Sequence, residues 1–189
     1  MVNVEYNIIK MNRIAIFCGS SFGVNNIYKI QAQVLGKTLA NQNIEIVYGG
    51  ADIGLMGAVA NSALKEKGKV TGVLPNFLGS KEIAHKSLTK LILVNTMHER
   101  KTKMFELCDG MIALPGGFGM LDELFEVLTW SQLSIHKKPV ALLNTAGFFD
   151  ELITFLKSTT EKGFLKKENL EKLIIDADIT SLLKQMKVY

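Results

Sequence analysis

EIVYGGADIGLMGAVANSALKEKGKVTGVLP, residues 45–75, is the stretch whose reading decides the fold. EIVYGG, at 45–50, reads as a β-rich strand stopped by two glycines. GLMGAVANSALKEK, at about 54–67, reads as a helix in which Gly57, Ala58 and Ala60 permit close packing on a sheet. KVTGVLP, at 69–75, reads as a strand ended by its proline. Strand, glycine turn, helix and strand make a βαβ unit, and a crossover of that length joins parallel strands. The pattern continues in both directions. NRIAIFC at 12–18 is a strand followed by a helix near 26–41. Strands at 89–95, 110–114, 138–144 and 172–176 alternate with helices near 96–108, 119–135, 148–162 and 179–186. These strands are mostly continuous apolar runs, which indicates that both faces are covered. The expectation is an α/β, doubly wound parallel sheet of six to seven strands with helices on both faces. One domain would span 12–189, preceded by a loose extension at 1–11.

Composition narrows the function classes. The chain has 189 residues, of which 48% are hydrophobic and 21% charged, so disorder and collagen-like repeats are excluded. Two cysteines, Cys18 and Cys108, form no disulfide framework and fit a reducing compartment. No apolar run approaches the ~18 residues of a membrane span. MVNVEYNIIKMNR lacks the apolar core of a signal peptide, so the cytoplasm is the expected location. The net charge of +4 rests on scattered lysines, and Arg13 and Arg100 are the only arginines among 22 basic residues. No basic stripe alternates with aromatics, so neither nucleic acid nor membrane is an expected partner. An anionic small molecule needs only one focused site. His85, His98 and His136 are too widely spaced to suggest a metal centre.

The glycines gather where strands end: Gly19 and Gly23, then Gly49, Gly50, Gly54 and Gly57, then Gly116, Gly117 and Gly119. In open α/β sheets ligands sit outside those ends, and glycine lets the backbone approach a phosphate closely. None of the three loops has the G-x-G-x-x-G or P-loop spacing, which disfavours a dinucleotide enzyme and an NTPase. Arg100 falls one turn into the helix after the fourth strand, and its planar fork binds in ways a lysine does not. Glu123 falls about one turn into the helix after the fifth, placed to face a sugar. On that helix Leu121, Leu124, Phe125, Leu128 and Gln132 read as the packing stripe. Cys18 sits at a strand end among apolar neighbours and reads as a buried thiol, not a nucleophile.

FCGSS at 17–21, YGGADIGLMG at 48–57, MHERK at 97–101, PGGFGMLDE at 115–123 and TWSQLSIHKKP at 129–139 together resemble the LOG ("lonely guy") family. These cytokinin-activating phosphoribohydrolases have long carried the label lysine decarboxylase. The resemblance implies a Rossmann-like fold, a homodimer and no cofactor. It implies hydrolysis of the N-glycosidic bond of adenine-type nucleoside 5′-monophosphates, AMP or cytokinin riboside 5′-monophosphates, to free base and ribose 5-phosphate. Carried over by position, it makes Arg100 and Glu123 the catalytic pair. It sets Ser20, Gly116, Gly117 and Gly119 at the phosphate, and Gly49, Gly50, Gly54 and Met56 in the nucleotide wall. Lys101 would hold the sugar phosphate or the geometry of the site, and Met97 and Met120 would also line it. Met120 departs from the family pattern P-G-G-x-G-T-x-x-E, which has Thr there. Losing that hydroxyl is expected to weaken phosphate binding by roughly 1.5–3 kcal/mol. A non-catalytic carrier of nucleotide or molybdenum cofactor on the same fold is the alternative.

Overall fold

Alternate residues of the first strand, β1 (Arg13–Phe17), point to opposite faces, and every one after Arg13 is buried. A strand hidden on both sides needs a layer of helices over each. That is the arrangement of the computed structural model, which describes residues 11–79 and 84–188. Residues 1–10 of the expected extension lie outside the described residues, while Met11 is buried against the sheet.

Seven strands form one parallel sheet: β1, β2 (Glu45–Tyr48), β3 (Val70–Pro75), β4 (Lys90–Val94), β5 (Gly110–Ala113), β6 (Val140–Leu143) and β7 (Leu173–Asp176). Their order is β4-β3-β2-β1-β5-β6-β7. Ile14 and Ile16 face a core shared with α1 (Asn26–Asn41), α2 (Gly54–Lys65) and α8 (Ile179–Gln185). Ala15 and Phe17 face the opposite core, shared with α4 (Met97–Leu107), α5 (Phe118–Gln132) and α6 (Asp150–Glu161). The sheet is therefore doubly wound, with helices on both faces and its switch point between β1 and β5. Edge strand β4 departs from the fully covered pattern, because Leu91 and Leu93 remain exposed. Two short helices, α3 (Asn76–Gly79) and α7 (Lys167–Leu170), occupy stretches that carry no helical periodicity.

Helix termini set the positions that matter for the site. The Asn25 side chain accepts from the Ile27 N–H and starts α1. Thr96 caps α4 by accepting from the Glu99 N–H at 3.1 Å, while Glu99 accepts from the Asn95 N–H at 2.7 Å. This reciprocal cap fixes where the first turn of α4 begins, and hence where Arg100 stands. No side chain caps α5, which opens on Gly117.

Gly36 shows how tightly the layer packs, because a Cβ there would collide with the Val59 carbonyl of α2. Gly to Ala inside a helix ordinarily stabilises by about 0.5–1 kcal/mol. Gly36→Ala is expected to do the reverse and destabilise by about 1–3 kcal/mol, by prising α1 from α2. Urea unfolding measures the sign, and a variant more stable than the parent would show that the two helices separate freely.

Candidate active site

At the carboxyl ends of β1, β2 and β3 a cleft of about 380 Å³ opens between the strand loops and the start of α5. Its size falls in the ~300–1,000 Å³ range of small-molecule sites. Glu123 forms one wall. The buried face of α5 runs through Met120, Glu123, Leu124 and Val127; of the expected stripe Leu124 is buried, Leu121, Phe125 and Leu128 pack half-buried against the same core, and Gln132 is exposed. The difference is a small rotation of α5 (Phe118–Gln132) on the sheet, which turns Glu123 inward and leaves Leu121, Phe125 and Leu128 half-buried.

A carboxylate so placed needs an opposite charge. Arg100 Nη2 lies 3.4 Å from Glu123 Oε1, and both side chains are largely hidden from water. Among the described residues no hydrogen bond reaches the buried Glu123 Oε1, so the pair is held by charge, while the Glu123 side chain as a whole lines the cleft. Burial pushes the Glu123 carboxyl up from 4.5 to about 7, against the pull of Arg100. The Arg100 guanidinium is itself held, since Nε donates to the Val73 carbonyl at 3.3 Å. Gly49 explains its own identity here, because a Cβ would overlap Arg100 Nη2. Only a glycine at the end of β2 leaves room for the guanidinium.

The opposite end of the cleft is backbone. Gly117, Phe118, Gly119 and Met120 line it, and the first intrahelical bond of α5 runs from the Leu121 N–H to the Gly117 carbonyl. The N–H groups of residues 118–120 precede that bond and lie at the positive end of the helix dipole, the arrangement that binds anions. Nothing lies within 4 Å of where a Cβ on Gly117 or Gly119 would stand. Packing does not require glycine at either position, but a side chain would crowd the approach to those amides. Ser20, exposed on the loop after β1, lines the same cleft.

The structure thus brings together Ser20, Gly49, Met56, Arg100, Gly117, Gly119, Met120 and Glu123. The remaining expected residues stand behind the wall. Gly50, at φ +80°, packs on β3 and accepts from the His85 N–H. Gly54, at φ +53°, presses on Ser20 and Ser21, where any Cβ would collide. Gly116 lies against Met120 and Gly19 beneath the turn. Met97 sets its Sδ 4.0 Å from Arg100 Nη1, behind the guanidinium. Lys101 turns away, with Nζ 3.0 Å from Asp122 and 3.1 Å from Glu126. Burial alone would lower its pKa, but the two carboxylates outweigh that and keep it charged. Its three donors therefore serve the α4–α5 contact. Met120 is buried, its side chain filling the core beside Gly116. Cys18 lines the cleft floor, and burial, reinforced by Glu123, pushes its thiol well up, which keeps it protonated.

Ala51, Ile53, Leu74, Leu78 and Phe118 also line the cleft and were not expected there. Leu74 was the most legible, since it is the last residue before the proline that ends β3 on the crevice side. Phe118 is 94% exposed at the rim, and one exposed aromatic within PGGFG is a signal the motif itself carries. His85 and His136 are buried, their ring nitrogens engaged by Asn61 and Ser87 and by Val127 and Lys138 respectively.

A family model described as "possible lysine decarboxylase" matches residues 56–186. Cytokinin riboside 5′-monophosphate phosphoribohydrolase LOG2 of Arabidopsis thaliana is 41% identical over 180 residues, 95% of this chain and 84% of that one. LOG4 of the same plant, described with the same activity, is 42% identical over 181 residues, again 95% and 84%. Among solved structures, the molybdenum cofactor binding protein of Rippkaea orientalis superposes with a TM-score of 0.70. It is 21% identical, over 95% of this chain and 97% of that one, a likeness of fold.

The raised carboxyl has a consequence for stability. In the unfolded chain Glu123 loses its proton near pH 4.5, and in the fold only near 7. Ionisation therefore favours unfolding as pH rises through that window, and above it the whole cost is present. Relative to the parent, Glu123→Gln is expected to gain about 3 kcal/mol between about pH 4 and about pH 8. Urea unfolding at both values measures this, and a pH-independent difference would mean that the carboxyl titrates normally.

Proposed function

The chain belongs to the LOG family of cytokinin riboside 5′-monophosphate phosphoribohydrolases, and from that premise we propose how its cleft cuts a nucleotide. It is a phosphoribohydrolase, hydrolysing the N-glycosidic bond of a nucleoside 5′-monophosphate to free base and ribose 5-phosphate. Its substrates are AMP and N6-substituted AMP of the cytokinin type. The observation that carries the assignment to this cleft is the buried Glu123–Arg100 pair, which faces an uncapped helix start across a space of nucleotide size.

The 5′-phosphate lies at the amides of residues 118–120 with the Ser20 hydroxyl as a side-chain donor, so that the ribose is delivered to Glu123. Breaking the C1′–N9 bond builds positive charge on the sugar. The ionised Glu123 stabilises that charge and takes a proton from the water that attacks C1′. The departing base carries off the bonding electron pair and takes a proton from solvent as it leaves, while Glu123 returns the water's proton to solvent, so that the net addition is one water across the C1′–N9 bond. Arg100 orients Glu123 and keeps it ionised often enough at neutral pH, since burial alone would hold it protonated. Lys101, paired with Asp122 and Glu126, locks α4 against α5 and so keeps the two catalytic side chains in register. The apolar wall of Ile53, Met56, Leu74 and Leu78 takes the base. Among the described residues no lysine lines the cleft, so they offer no amine for the Schiff base that a lysine decarboxylase would need.

The enzyme works as a homodimer in the cytoplasm. The exposed Leu133 and Ile135 past the end of α5, and the free, buried Cys18 and Cys108, support those two statements respectively. Among the described residues no helix is long and apolar enough to cross a membrane.

Incubation with AMP, N6-isopentenyl-AMP and adenosine, followed by chromatography, is expected to show base released from both monophosphates and not from the nucleoside. Glu123→Ala should lower kcat/KM by at least about a hundredfold. Full activity in that variant would remove Glu123 from the mechanism. Met120→Thr restores a hydroxyl beside the amides and is expected to lower KM for AMP by about tenfold. It should also lower Tm, because a buried thioether is lost from the core. An unchanged KM would place the phosphate elsewhere.

A further inference from the structure

The cleft is not alone at the switch point. A second cavity of about 350 Å³ lies between the loops that follow β1 and β5, and it shares Gly19, Ser20 and Gly117 with the first. The two therefore meet at Ser20, which the proposed function gives to the phosphate, and at Gly117, next in the chain to the amides of 118–120. Their linings differ in kind. Where the first cavity holds Arg100 and Glu123, the second holds rings: Phe22, Tyr28 and Phe148. Tyr28 and Phe148 pack edge to face at 5.7 Å, which leaves Phe148 40% exposed, and Phe22 is 42% exposed. Lys29 places its ammonium 5.0 Å from the Phe22 ring, a positive charge beside the cavity. Ser20 supplies a hydroxyl at the junction, and Ser21 one within the second cavity.

We propose that this second cavity is a subsite for a planar ring joined through a pyrophosphate to the nucleotide in the cleft, so that the protein also binds dinucleotides. The proposal rests on the phosphate lying at the start of α5. From there the space bounded by Ser20 and Gly117, which line both cavities, continues into the ring-lined one. Aromatic faces hold bases by stacking whatever the base identity, and a neighbouring cation suits a second phosphate. The missing G-x-G-x-x-G spacing does not oppose this. That fingerprint puts a pyrophosphate at the helix after the first strand, and here the start of α1 is already closed by the Asn25 side chain. The uncapped helix start belongs to α5, across the switch point, so the ligand runs in a different direction along the strand ends.

Calorimetry with AMP and with diadenosine 5′,5′-diphosphate tests the subsite on the full chain. The dinucleotide is expected to bind at least about tenfold more tightly than AMP and to displace it. Phe22→Ser and Phe148→Ser, made separately, should each bring the two affinities within about threefold while AMP hydrolysis continues at the parental rate. Equal affinities in the parent, or an advantage that survives both substitutions, overturn the subsite and leave the phosphoribohydrolase intact. AMP that is neither bound nor hydrolysed by the parent overturns the proposed function and the subsite with it.

Discussion

A carboxylate on the core-facing side of a helix is costly to ionise, and the way Glu123 is answered organises this end of the molecule. Its counter-charge comes from another helix, on a different crossover, so β3, α4 and α5 must be held in register for Arg100 to stand 3.4 Å away. Each restraint has a physical source. Thr96 and Glu99 fix the first turn of α4, and the Val73 carbonyl anchors the guanidinium. Lys101 ties α4 to α5 through Asp122 and Glu126. Gly49 vacates the volume that the guanidinium fills.

The glycines divide into two kinds when judged by what a Cβ would meet. Gly49, Gly54 and Gly116 are packed against other groups, so they are there to let loops and side chains approach. Gly117 and Gly119 face open space, so they are there to keep amides reachable. One glycine-rich composition thus serves both the construction of the wall and the opening of the anion end. The same loops bound both cavities at the switch point, which is why a single turn, Gly116–Gly119, touches the catalytic wall and the ring-lined space alike.

Much of this was legible beforehand. Helix α1 runs over the same residues, 26–41, that its periodicity marks, and no strand end differs from its expected bound by more than two residues. Glycine loops at strand ends pointed to the crevice, and the scarcity of arginine drew attention to Arg100. The orientation of α5 was not legible, because Leu121, Leu124, Phe125 and Leu128 form as good an apolar stripe as Met120, Leu124 and Val127. The choice between them depends on the angle at which the helix meets the sheet. The position of Lys101 was equally hidden: adjacent to Arg100 in the chain, it is turned about 100° around the helix and meets a different set of charges.

By itself, then, the order of residues determined the alternation of strands and helices, the crevice-side glycine loops and the two charged residues worth watching. These follow from periodicity and from local backbone chemistry, which act over a few residues. Tertiary structure alone decided that Arg100 and Glu123 meet, that Met120 fills core as well as lining the cleft, and that two cavities join at Ser20 and Gly117. Such outcomes depend on strand order and on which helix faces which side of the sheet. They are set by the simultaneous burial of many distant side chains, which no short window of the chain contains.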